Sequence, residues 1–170
     1  MKDDQLLVLT RDQRTGKVKT IVPGKPEESA LASSRAVPRP VRVLVADDCK
    51  PDRELTIRHL GEAWPFKQDM VVECAADGME ALTKLRRSRF ALAVLDWNMP
   101  HLGGRELLRA IREHGLRLPV VVVSGERHED IAHDLTSMAA AFVHKVELNP
   151  IRFCSAIAVS FQLQGVEWTV

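Results

Sequence analysis

No run of apolar residues in this chain approaches membrane-spanning length, no charge of one sign prevails, and cysteine is scarce. Each absence excludes something. Without a long apolar run there is no membrane partner to expect. With 24 Lys/Arg against 23 Asp/Glu the formal net charge is +1, so charge alone implies no nucleic-acid groove and no anionic membrane. Cys49, Cys74 and Cys154 are odd in number, widely spaced and form no CxxC. That pattern suits reduced thiols, not a disulfide framework. The opening "MKDDQLLVLTRDQR" has too short an apolar stretch for a signal peptide. A cytoplasmic protein is therefore expected. The histidines offer no zinc site, because His128 and His133 are five apart and miss the spacing that puts two ligands on one helix face.

What is present is a regular alternation. "VRVLVA" (41–46), "MVVECA" (70–75), "FALAVL" (90–95), "PVVVVS" (119–124) and "AAFVH" (140–144) are short, Val-rich runs suited to strands covered on both faces. Amphipathic stretches lie between them. Residues 51–64 open with Pro at the first helical position, with His59 on the inner face as a hydrogen-bonded core residue. Residues 78–88 place Met79, Leu82 and Leu85 on one face, and 104–115 do the same with Leu107, Leu108 and Ile111 before stopping at Gly115. Residues 128–140 make a weaker helix. Residues 149–161 begin with an Asn cap before Pro150 and bury Ile151, Cys154, Ile157 or Ala158, and Phe161. Five strands alternating with five helices predict an α/β fold, a doubly wound five-stranded parallel sheet of flavodoxin-like order 2-1-3-4-5. Its ligand site belongs at the carboxyl ends of the strands.

Residues 1–40 differ. "QLLVLTRDQRTGKVKTIVP" reads as a hairpin, marginal in water unless it packs on the domain or a partner chain, and residues 23–40 read as a Pro/Ser-rich linker. This N-terminal arm precedes a domain at 41–163 and a short tail at 164–170. The arm holds eight Lys/Arg and five Asp/Glu, so a mildly basic segment precedes a mildly acidic domain. The run "KLRRSR" (84–89) is a solvated helix end, where positive side chains suit the dipole.

The residues that close the strands carry the chemistry. The first strand ends in Asp47 and Asp48, the third in Asp96, the fourth in Ser124 and the fifth in Lys145. On one rim, three carboxylates, a hydroxyl and an ammonium converge. Three carboxylates repel unless one is protonated or a cation joins them. Mg²⁺ resolves the repulsion: a carboxylate oxygen from Asp48 and from Asp96, with the backbone carbonyl of Asn98, leaves positions open for a phosphoryl oxygen. Lys145 and Ser124 would meet the other phosphoryl oxygens. Asp96 is then a nucleophile that accepts phosphate. Taken singly, Asp96 is as easily a strand-end residue, Asp47 and Asp48 helix caps, Phe142 core, Asn98 a turn residue and Glu126 a loop residue. Their conjunction favours the site.

The segments "VLVADD", "CAADGMEAL", "LDWNMPHLGGRELLRAIR", "VVVSGE" and "AFVHK" resemble the receiver domain of two-component response regulators, most closely the stand-alone chemotaxis (CheY-like) type. The resemblance implies that Asp96 is the phosphoacceptor and that Asp48 binds Mg²⁺ directly and Asp47 through water. It implies further that Ser124 and Phe142 form a switch, that Lys145 is the conserved lysine, and that Asn98 and Glu126 tune dephosphorylation. A histidine kinase or histidine phosphotransfer protein would supply the phosphoryl group, and a downstream protein would read it. Where that family usually has proline after the lysine, often in a cis bond, Val146 stands here; a trans bond and a reshaped loop are expected. The nine residues "QLQGVEWTV" are too short for an output domain, so a stand-alone regulator, not a classical enzyme, is expected.

Two rivals come from other classes. A haloacid-dehalogenase-like phosphatase also uses Asp and Mg²⁺, but needs a second aspartate two residues on, where Asn98 stands. A phosphorylation-independent adaptor would act through the arm, by strand addition or as a homodimer.

Overall fold

The structure is a computed structural model that describes residues 6–11, 15, 18–21, 40–64 and 69–166. Its strands are β1 (Leu6–Arg11), β2 (Val18–Ile21), β3 (Val41–Ala46), β4 (Met70–Ala75), β5 (Leu92–Leu95), β6 (Val120–Ser124) and β7 (Ala141–His144). The helices are α1 (Lys50–Ala63), α2 (Gly78–Arg87), α3 (Gly104–Glu113), α4 (His128–Ser137) and α5 (Pro150–Leu163). They assemble into one sheet of order β2-β1-β4-β3-β5-β6-β7. The five strands β4-β3-β5-β6-β7 are parallel, which is the flavodoxin-like 2-1-3-4-5 order.

Burial explains why this sheet is parallel and central. Every residue of β5 and β6 is buried, as are the last four of β3, so these strands must be covered on both faces. One face is closed by α1 and α5, with Ile57, Leu60, Phe153, Ile157 and Phe161 packed on Val43, Val45, Val94 and Val121. The other is closed by α2, α3 and α4, with Ala81, Leu85, Leu107, Leu108, Ile111 and Ile131 packed on Leu44, Ala93, Leu95 and Val122. Local signals set the helix starts. Asp77 accepts the Glu80 N–H at 2.7 Å while the Glu80 carboxylate accepts the Ala76 N–H at 2.9 Å, so α2 opens on reciprocal caps. Asn149 accepts the N–H groups of Ile151 and Arg152, as its place before Pro150 predicts.

Three helix-face expectations are corrected. Met79 is exposed, and α2 buries Ala81 and Leu85 with Leu82 half-buried. Ile151 is exposed; the buried arc of α5 is Phe153, Ala156, Ile157, Ser160 and Phe161, with Cys154 only half-buried. His59 makes no hydrogen bond through Nδ1, whose nearest acid, Glu62, is 3.8 Å away.

The arm contributes two strands. β1 pairs antiparallel with both β2 and β4, in the register Val8↔Val71, so the hairpin extends the sheet from its β4 edge. Leu9 is buried in the core beside Trp64 and Met70, and this is the packing a hairpin needs. The hairpin's turn at Gly16, most of the 23–40 linker and residues 167–170 of the tail lie outside the described residues. Leu9→Ala is expected to lower stability by about 3 kcal/mol, as for other buried leucines. A urea titration checks it, and an unchanged midpoint would mean the hairpin contributes nothing to the fold. Among the described residues no helix is long and apolar enough to cross a membrane.

Candidate functional site

Parallel strands place their carboxyl ends on one rim, and four chain segments deliver polar groups there. Asp47 follows β3 and Asp96 follows β5, and both carboxylates are buried. Ser124 ends β6 with no exposed surface, and Lys145 follows β7. Asp48 is exposed beside them. Oxygens of Asp47, Asp48 and Asp96 all lie within 4.8 Å of one another. Neither Asp47 nor Asp48 is the helix cap: α1 has Cys49 at that position, and Asp47 instead accepts the Cys49 N–H at 2.8 Å.

The Lys145 ammonium organises the pocket. Its Nζ lies 3.0 Å from Asp96 Oδ2, 3.1 Å from Asp47 Oδ2 and 2.8 Å from Asp52 Oδ2. Burial alone would lower its pKa, but the hydrogen bonds to Asp52 and Asp96 and the charges of Asp96 and Asp47 outweigh burial and raise it. Lys145 therefore stays cationic. Its hydrogen bond pulls the Asp52 carboxyl below the ordinary range. Burial pushes Asp47 upward; the Cys49 amide opposes this, the charge of Asp96 adds to it, and Lys145 opposes it again.

Asp52 was not among the residues singled out from sequence. It sits in the first turn of α1, and no local sequence signal marks it, because its partner Lys145 is far away along the chain. Three carboxylates, of Asp47, Asp52 and Asp96, thus face one ammonium, with Asp48 beside them. The donor set is all oxygen and carries excess negative charge, with three carboxylates close enough to share a small hard cation. These residues fit Mg²⁺.

Other predicted residues fall around the rim. The Asn98 side-chain amide donates to Glu126 Oε1 at 2.8 Å, which ties the loop after β5 to the loop after β6. The Asn98 N–H reaches Asp96 Oδ1 at 3.4 Å, and the Ser124 hydroxyl accepts the Glu126 N–H at 3.1 Å. Phe142 is half-buried on β7, its ring 5.4 Å from that of His128 and 6.4 Å from that of His144. The described residues contain no cis peptide bond, so Lys145–Val146 is trans, and the reshaped segment is a 3-10 turn over Lys145–Glu147.

One close approach holds Asp96 at the lip. A Cβ on Gly104 would lie 2.2 Å from the Asp96 carbonyl oxygen and 2.8 Å from Trp97 Cα. Only glycine lets α3 begin directly against the end of β5. The Gly104 N–H donates to the Trp97 carbonyl at 2.9 Å and closes the turn.

Residues 43–157 match the response regulator receiver domain, and the chain belongs to that family. Receiver domains are phosphoacceptors of two-component signalling. The chain is 40% identical over 85 residues to the response regulator MprA of Mycobacterium sp. (strain KMS), a match over 50% of this chain and 35% of that one. It is 37% identical over 84 residues to the transcriptional regulatory protein TctD of Salmonella typhimurium, over 49% of this chain and 35% of the relative. The match thus spans about a third of the length of these curated relatives. Among solved structures, the chemotaxis protein CheY4 of Vibrio cholerae is 27% identical at a TM-score of 0.58, covering 70% of this chain and 97% of that one. The bacteriophytochrome response regulator AtBRR is 26% identical at a TM-score of 0.62, covering 78% and 98%.

Proposed function

We propose that this chain is a response regulator, with residues 41–163 as its receiver, whose Asp96 takes a phosphoryl group from a phosphohistidine. The observation that carries this reading is the convergence of the Asp96 and Asp47 carboxylates on the Lys145 ammonium, each within 3.1 Å, at the rim of a receiver fold. A carboxylate oxygen of Asp96 attacks phosphorus, the O–P bond forms as the P–N bond to imidazole breaks, and the imidazole leaves with the electron pair. Asp47, Asp48 and Asp96, with the Asn98 carbonyl, would hold Mg²⁺, which when bound neutralises charge and orients phosphoryl oxygens. The Lys145 ammonium is already 3.0 Å from Asp96 Oδ2, and a short shift takes it to a phosphoryl oxygen. Ser124 offers a hydroxyl to another. Phosphorylation adds about 1.5–2 negative charges next to these two groups. Their movement would bias the surface around Phe142, α4 and α5, and so change affinity for a downstream protein. Asn98 and Glu126, already linked to each other, are placed to orient an attacking water. No nucleic acid, membrane or external substrate enters this reading, and the protein acts in the cytoplasm.

The test is intact-protein mass after treatment with acetyl phosphate. A hydroxylamine-labile phosphate is expected on wild type with Mg²⁺, absent after chelation and absent from Asp96→Asn. An adduct that survives in Asp96→Asn sinks the assignment of Asp96. Steady turnover of an external phosphomonoester would favour a phosphatase instead.

A further inference from the structure

Lys145 enters the pocket from a three-residue turn that no apolar packing holds at its centre. Val146 is 87% exposed. What fixes the turn at its start is a side chain: the Val146 N–H donates to Nδ1 of His144 at 3.2 Å. At its end the Leu148 N–H donates to the Lys145 carbonyl at 3.3 Å. Lys145 lies between these two bonds, and its ammonium reaches Asp52, Asp96 and Asp47 from there.

The imidazole can do this in one state only. Nδ1 accepts a hydrogen bond when it lacks a proton; once protonated it is a donor that faces another donor. The cleft beside His144 is lined by Arg127, His128 and Glu129 at α4, Glu147 of the turn and Arg152 of α5. Glu129 pairs with Arg127 at 2.9 Å and Glu147 faces Arg152 at 4.0 Å, and among the described residues no carboxylate pairs with His144. Asp52, the carboxylate nearest to Lys145, binds the ammonium and not the imidazole.

We propose that His144 is a positioning residue for Lys145: its neutral imidazole caps the turn and thereby aims the ammonium at Asp96. The proposal rests on the phosphoacceptor reading given above. Its consequence is that phosphoryl acceptance falls when His144 takes up a proton, although His144 touches no reacting atom.

The experiment uses the full chain, acetyl phosphate and saturating Mg²⁺, and reads the initial rate of phosphoryl incorporation against pH for wild type, His144→Ala and His144→Asn. A lost side-chain cap predicts a rate about fivefold lower in His144→Ala at neutral pH. Asn carries an oxygen that takes the same N–H, so His144→Asn should recover to within about twofold. It should also lack the extra acid-side loss of wild type. Val146 amide exchange, followed in the same three proteins, should be faster in His144→Ala than in wild type or His144→Asn. An unchanged rate in His144→Ala overturns the proposal while leaving the phosphoacceptor reading intact, as does equal Val146 exchange in all three. No incorporation by wild type overturns the phosphoacceptor reading, and with it the reaction for which His144 would position Lys145.

Discussion

Gly104→Ala should disable the pocket without removing any of its polar groups. The added methyl would lie 2.2 Å from the Asp96 carbonyl oxygen and 2.8 Å from Trp97 Cα, and both are backbone atoms that cannot swing aside. Relief requires α3 to back away from the end of β5. Leu107, Leu108 and Ile111, all fully buried on that helix, resist such a shift. The cost is on the order of 3 kcal/mol, at the upper end for overpacking. It should appear as a lower urea midpoint together with weaker phosphoryl incorporation at a temperature where the variant is still folded. A variant with wild-type stability would show that α3 is free to move, and that the close approach does not hold Asp96.

The second large effect concerns a cation remote from the pocket. The Arg112 guanidinium donates to four carbonyl oxygens: Met138 at 2.7 Å, Leu118 at 2.9 Å, and Leu116 and Ala139 at 3.1 Å. It joins the end of α3, the loop into β6 and the loop after α4. Burial pushes its pKa below the ordinary arginine value, yet four bonds to oxygen keep the planar charge in place. Removing it takes the guanidinium donor from the Met138 and Leu118 carbonyls, beside buried Leu118 and Ala140, while the Ala139 carbonyl keeps a bond from the Gln164 side chain. Arg112→Met is expected to cost about 4 kcal/mol, because each lost charged bond contributes about 1.5–3 kcal/mol before water compensates. Arg112→Lys should recover only a minor part, since a point charge cannot reach both loops. Thermal or denaturant unfolding of the two variants decides it, and a lysine variant equal to wild type would refute the bridging account.

The parallel core is legible in the sequence because its strands are continuous Val-rich runs, and continuous burial is what a central parallel strand requires. β5 begins two residues later than its apolar run, at Leu92, since Phe90 packs under the Arg42 guanidinium instead of joining the ladder. Helix faces are less legible. Met79 and Ile151 obey the apolar period but lie exposed in first turns, and periodicity alone does not say which arc of a helix is covered. The site is legible as far as strand ends define it. Asp47, Asp48, Asp96, Ser124 and Lys145 each close a strand, so the fold rule brings them together. Asp52 comes from a helix and meets Lys145 across the sheet, a contact of two segments far apart in sequence. His144 escapes notice for a different reason. Its importance lies in a backbone N–H two residues on, and a sequence does not show which N–H needs a partner.

The pairing of β1 with β4 also orders events in time. Val8 pairs in register with Val71, so β1 is made well before the strand it pairs with, and during synthesis it must wait for β4 to emerge. Closing so long a stretch of chain carries an entropic cost that local helix–strand units do not bear. The parallel units can form first, with the hairpin docking late onto a finished edge. Until then β4 is an open strand, available to any extended segment that arrives sooner.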